Sequence, residues 1–168
     1  ISVKDAIAAW DKKNLDSTVA AKVNGVAVDL SHALQENSVL SPLDITSKEG
    51  LSVLRHSISH VMAQAVQDVF PGAKVSIGPS IEDGFYYDFE YKDTFTTEDL
   101  ARIEQRMKEI TAANYPFTRE EISRAQAVNL FEEKGENYKV ELINDLPADV
   151  KNVSLYRQGG YVDLCRSP

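Results

Sequence analysis

The sequence predicts an α+β fold in two parts, a small module over residues 1–47 and a larger domain over residues 48–168 with a mainly antiparallel sheet packed by helices. Three observations carry that expectation. Apolar residues recur at helical spacing in several windows. Hairpin-type dipeptides, Asn24-Gly25 and Asp83-Gly84, separate strand-like runs. The longest helical pattern starts only after the polar stretch Ser47-Lys48-Glu49-Gly50. At 168 residues and 43% apolar content, the chain can bury an ordinary globular core.

Residues 3–13 read as a short helix, because Val3, Ile7 and Trp10 share a helical face. Asn24-Gly25 then joins two apolar runs as a hairpin turn, residues 31–37 are turn-like, and residues 38–45 form another short strand. A helix with small strands in so few residues suits a β-grasp-like module. From Leu51, the series Leu54, Ile58, Met62, Ala65 and Val69 marks a long amphipathic helix that stops before Pro71-Gly72. Residues 74–81 and 85–91 are strand-like, with Phe85, Tyr87 and Phe89 alternating with Tyr86 and Asp88. Thr96 and Asp99 form a capping-box signature for a helix with Leu100, Ile103, Met107 and Ile110 inward. Residues 115–122 read as a strand, and Ser123 with Gln126 opens a helix ending by Gly135. Strands near residues 140–143, 154–158 and 161–165 complete the domain. No repeat or low-complexity segment interrupts it.

The net charge of −8 argues against nonspecific wrapping of nucleic acid, which needs broad phosphate neutralisation. Residues 1–50 hold five Lys/Arg against seven Asp/Glu and residues 51–168 hold thirteen against nineteen, so neither part is a basic arm. A local basic strip touching one RNA end stays compatible with these numbers. The apolar stretches fall short of a membrane span, and no cleavable signal pattern is present. The single Cys excludes an internal disulfide and predicts a reducing, cytoplasmic setting. Ile1 in place of Met reads as a fragment boundary.

The chain has three histidines and one cysteine. His56 and His60 lie one helical turn apart and project from one face, a spacing that serves a metal site, a water-activating site, or hydrogen-bonded packing. Cys165 reads either as a small apolar residue or as a functional thiol. Its strand-like segment alternates Asp163, Cys165 and Ser167, which turns a carboxylate and a thiol to one side. Lys139, in the run Glu136-Asn137-Tyr138-Lys139, has by default the character of a solvated surface amine.

These residues carry a resemblance. The segment RHSISHVMAQAVQDVFPGAKVSIGPSIEDGFYYDF is similar to the start of the editing domain of the threonyl-tRNA synthetase family. YKVELI and YVDLCR resemble later motifs of the same domain, and VAAKVNGVAVDLSHAL is similar to the second half of the TGS domain that precedes it. Alanyl-tRNA synthetase editing domains share a related arrangement, but the GFYYD stretch favours the threonyl type. The resemblance covers nearly the whole chain.

It implies a partial TGS module over residues 1–47 and an editing domain over residues 48–168 that hydrolyses the ester of serine wrongly attached to the threonine tRNA. Serine differs from threonine by one missing methyl, which a binding pocket discriminates by only about 1–3 kcal/mol, so a second, hydrolytic pocket is needed. By motif, His56 and His60 would line the pocket and position the terminal adenosine or the water. Lys139 would be the catalytic amine, and Cys165 would join the wall and water network. Asp163 would hold the serine amino group or hydroxyl, and Tyr87 would contact substrate. Gly78 would let the terminal ribose approach the backbone. The expected partner is the serine-charged acceptor end of the tRNA, with no DNA and no membrane. The parent enzyme would be a homodimer, this fragment a monomer. No cofactor is expected here: ATP, Mg²⁺ and Zn²⁺ belong to the parent's catalytic core.

The chain departs from the family pattern at its end. The motif C-R-G-P-H reads Cys165-Arg166-Ser167-Pro168, with Ser167 for glycine and the histidine position next beyond Pro168. The opening hairpin of the TGS module is also missing, which predicts an exposed sheet edge. Two rival readings follow. One is an acceptor-end binding module without chemistry. The other is an alanyl-type deacylase using zinc on His56, His60 and Cys165.

Overall fold

The computed structural model describes residues 1–35 and 37–165. Ser167, where the sequence departs from the family glycine, and Arg166 lie outside the described residues. The chain forms two compact units, residues 1–57 with 80–84, and residues 58–79 with 85–165.

In the first unit, α1 (Val3–Trp10) opens on a capping box in which the Ser2 hydroxyl accepts the Asp5 N–H and the Asp5 carboxylate accepts the Ser2 N–H. The helix stops three residues short of the expected end, and Trp10 is exposed. Val3 and Ile7 are fully buried against Ala21. Ala21 lies on β1 (Thr18–Val23), which turns through Asn24 and Gly25, both at positive φ, into β2 (Val26–Val28). β3 (Leu40–Asp44) pairs with the other edge of β1, giving an antiparallel sheet of order β2-β1-β3. The first turns of α2 (Lys48–Val69) also belong here, as does the short hairpin of β5 (Ser80–Ile81) and β6 (Gly84–Phe85), which Arg55 ties down by donating to the carbonyls of Ile81 and Glu82.

The second unit contains two cores. Val61, Ala65 and Val66 of α2, with Phe70 just beyond its end, pack with Ile103 and Ile110 of α3 (Thr97–Ala112), whose Thr96–Asp99 capping box forms as the sequence predicts. Leu100 is a correction. It is 59% exposed, because the covered face of α3 begins one turn later at Ile103. The strand expected over residues 74–81 is also broken. β4 (Lys74–Val75) pairs with β7 (Phe89–Glu90), and Gly78-Pro79 separates it from β5.

The second core sits on an antiparallel sheet of order β10-β9-β8, comprising β8 (Phe117–Ser123), β9 (Asn152–Gln158) and β10 (Tyr161–Leu164). Gly159, at φ 57°, and Gly160 turn β9 into β10. Against it lie α4 (Arg124–Glu133), capped by Ser123 and Gln126, and α5 (Asn137–Asn144). The strand expected near residues 140–143 is therefore a helix. Val140 and Leu142 mimic a two-residue period, but the inward positions are Lys139 and Ile143, one helical turn apart. The apolar pattern failed because the first inward residue is a lysine.

Phe131 of α4 is fully buried among Ala127, Ile143, Val153, Leu155 and Val162. Phe131→Ala is expected to lower stability by about 3–5 kcal/mol through lost burial and the cavity left behind. A urea melt of the variant beside the parent checks this, and a change below ~1 kcal/mol would show that the neighbours collapse into the gap.

Candidate active site

The second unit holds an ionic cluster centred on Asp163, which is 2% exposed on β10. Each carboxylate oxygen has its own partners. Oδ1 lies 2.7 Å from the Lys139 ammonium and accepts the Leu164 N–H at 2.8 Å. Oδ2 lies 2.7 Å from His60 Nδ1 and accepts the hydroxyls of Tyr87 at 2.9 Å and Tyr161 at 3.2 Å. Burying an ion costs several kcal/mol, so such a group persists only where partners crowd it this closely.

α5 delivers Lys139, α2 delivers His60, and the strand-like run ending in β7 delivers Tyr87. Lys139 is 1% exposed, with its Nζ 5.4 Å from the Phe131 ring centre and 5.8 Å from that of Tyr161. The default reading of Lys139 as a solvated amine is thus corrected. The Lys139–Asp163 contact is a close ion pair without an aligned hydrogen bond, which leaves ammonium hydrogens unspent.

The electrostatics follow from crowding. Burial alone would raise the Asp163 carboxyl, but the His60 hydrogen bond and the Lys139 charge outweigh it and hold the group well below the usual carboxylate range. Burial works against the charged form of His60, yet the hydrogen bonds to Asp163 and Cys165 push it up to about 9. At neutral pH His60 is therefore a proton donor rather than a free base. Burial and the adjacent carboxylate push the Tyr87 and Tyr161 phenols up, so both remain donors.

Cys165 is buried beside the cluster. Its N–H donates to the Ser154 carbonyl at 3.2 Å, and its own carbonyl accepts the Ser154 hydroxyl. Its sulfur and a His60 ring nitrogen come within 4.8 Å, so the sequence reading that turns Asp163 and Cys165 to one side holds at His60. His56 is half-buried in the first unit, one turn before His60 on the continuous helix α2. An imidazole anchored by a carboxylate next to a thiol has the chemistry of a zinc donor set.

Gly78 takes part through what it lacks. A Cβ there would stand 2.1 Å from the Tyr87 ring, so the ring occupies the space a side chain would need. The neighbouring Ser59 hydroxyl donates to the Gly78 carbonyl at 3.0 Å and fixes that backbone. Gly78→Ala is expected to displace Tyr87 from Asp163 and lower stability by about 1–3 kcal/mol. Thermal unfolding checks the loss, and Gly78→Ala combined with Tyr87→Phe should lose less than the two changes summed.

Sequence reasoning missed Tyr161 and Glu136. Tyr161 was within reach, since two residues before Asp163 on a strand lies on the same face. Glu136 stands one turn before Lys139, a spacing visible once α5 is known to be a helix.

No family model matches the chain. It is 46% identical over 168 residues to the threonine–tRNA ligase of Marinobacter nauticus, covering 100% of this chain and 26% of that protein. It is 47% identical over 170 residues to the threonine–tRNA ligase of Nitratidesulfovibrio vulgaris, again 100% of this chain and 26% of the relative. To that of Pelobacter propionicus it is 53% identical over 152 residues, 90% of this chain and 24% of the relative. The chain thus spans about a quarter of the length of the curated relatives it matches. The chain is thus similar to one segment of aminoacyl-tRNA synthetases. The relatives that carry the likeness are threonine–tRNA ligases. Among the described residues, no helix is long and apolar enough to cross a membrane.

Proposed function

We propose that this chain is the editing region of a threonyl-tRNA synthetase, with residues 1–47 as a partial TGS module and residues 48–168 as a hydrolase for serine esterified to the threonine tRNA. The observation that carries this reading is the buried Lys139–Asp163–His60 cluster. A folded domain does not keep two cations and a carboxylate out of water for stability alone, since apolar side chains of similar volume serve as well or better. Such perturbed groups are arranged where charge develops in a reaction.

The roles follow from the donors. Lys139 has unspent ammonium hydrogens and stabilises the oxyanion formed when water attacks the ester carbonyl. His60, protonated at neutral pH, orients the terminal adenosine or the leaving ribose oxygen, and His56 extends the same helical face. Tyr87 completes the wall. Asp163 accepts four hydrogen bonds and faces the Lys139 ammonium, so its lone pairs are committed, and it acts as the anchor of the site rather than as the grip on the serine amino group. Cys165 holds the far side of His60. No cofactor enters these steps. The tRNA acceptor end is the partner, and the seryl group is admitted where the threonyl methyl is excluded.

The test is single-turnover deacylation of seryl-tRNA and threonyl-tRNA, both on the threonine tRNA. Faster loss of serine is expected. Equal rates, or binding without ester cleavage, would overturn the proposal, and activity that follows bound zinc would transfer it to the alanyl-type chemistry.

A further inference from the structure

A second carboxylate stands near the Lys139 ammonium. Glu136 Oε2 lies 3.9 Å from Lys139 Nζ, and Glu136 is only 7% exposed. Its position is built by the backbone. Gly135, at φ 71°, reverses the chain after α4, and the Glu136 N–H donates to the Phe131 carbonyl at 2.8 Å. Glu136 is the N-cap residue of α5, yet its side chain caps nothing. Short polar side chains normally fill that position because they reach the free N–H groups of the first turn. Here the longer glutamate turns inward instead. The Gln67 amide, from α2, donates to Oε1 and locks the group. Oε2 is left without a hydrogen bond, as is the ammonium it faces.

We infer that Glu136 is a positioning residue for Lys139, a second carboxylate that brackets the ammonium with Asp163 and holds it between them. The inference rests on the hydrolytic reading of this site. Asp163 Oδ1, at the full ion-pair distance of 2.7 Å, fixes where the ammonium stands but not how its other hydrogens are directed. Oε2, at 3.9 Å and without a hydrogen bond of its own, attracts the remaining N–H groups of the Lys139 amine and fixes how they turn toward substrate. Glu136 also balances the cluster, setting two carboxylates against Lys139 and His60. A cleft of about 570 Å³, lined by Gln64, Gln67, Glu136 and Tyr161, lies beside this carboxylate, so its removal leaves room for Lys139 to shift.

The experiment compares the chain with Glu136→Gln and Gln67→Leu, measuring seryl-tRNA hydrolysis and the ¹H–¹⁵N signal of the Lys139 ammonium. Glu136→Gln is expected to lower kcat about tenfold or more with KM unchanged, as a displaced catalytic group does. It should also broaden or shift the ammonium signal. Gln67→Leu should move both readings the same way by less, and it serves as the reading if Glu136→Gln does not fold. An unchanged ammonium signal with unchanged kcat would overturn the inference, as would a loss carried by KM alone. If the unaltered chain hydrolyses no seryl-tRNA, the functional reading fails, and the ammonium signal alone then decides whether Glu136 holds Lys139.

Discussion

Lys139→Ala is expected to lower seryl-tRNA hydrolysis about 10²–10³-fold, the loss seen when one preorganised donor to an oxyanion is removed. It should also destabilise the fold by about 3–5 kcal/mol, because Asp163 would stay buried without its principal cation. A solvated lysine would change stability by no more than about 0.5 kcal/mol, so the two losses together distinguish the buried cluster from a surface amine. Rates should be taken where circular dichroism shows the variant folded. Lys139→Met gives the companion measurement, since it keeps most of the buried volume and loses only the charge. Both variants should fail equally in hydrolysis, with Met retaining more stability. A folded Lys139→Ala protein with full turnover would remove Lys139 from the chemistry.

The elements framing this site were legible where local chemistry is strong. The Thr96–Asp99 and Ser123–Gln126 capping boxes and the Asn24-Gly25 turn formed as expected, because each depends on residues within one turn of chain. The helix α5 was not legible. Its inward stripe begins with Lys139, and periodicity rules count lysine as solvent-facing. That misreading has the same origin as the proposed function. A lysine faces inward only where a carboxylate awaits it, and Asp163 arrives from a strand far along the chain. His60 meets Asp163 across 103 positions and Gln67 meets Glu136 across 69, so no local pattern joins either pair. The candidate site residues were named through resemblance, whereas the network of charges joining Lys139, Asp163 and His60 became visible only in three dimensions. Gly78 shows the same division. Its lack of a side chain was read as room for a ribose, and the structure places the Tyr87 ring against it.

Asp163→Asn is expected to have the other large effect, because it strips the anchor from the whole cluster at nearly constant volume. Lys139 and His60 would both lose their buried anion, and the amide would present N–H hydrogens to groups that are themselves donors. Loss of about 3–5 kcal/mol and of hydrolysis is expected. The pH dependence identifies the cause. In the unaltered chain Asp163 is held below its ordinary range, so its contribution is present above about pH 4 and is lost as pH falls through the depressed value. His60 is raised from 6.5 to about 9, so its contribution is full below pH 6.5 and lost as pH rises through 9. A shift of that size corresponds to ~3 kcal/mol, spread over that upper window. Thermal unfolding followed across pH should therefore show greatest stability between these limits and a decline toward alkaline pH. In Asp163→Asn the alkaline decline should flatten, since His60 then loses the larger of the two partners that raise it and keeps only Cys165 against the cost of burial. If the decline persists unchanged in the variant, the His60–Asp163 pair is not its source, and the protonated donor assigned to His60 loses its support.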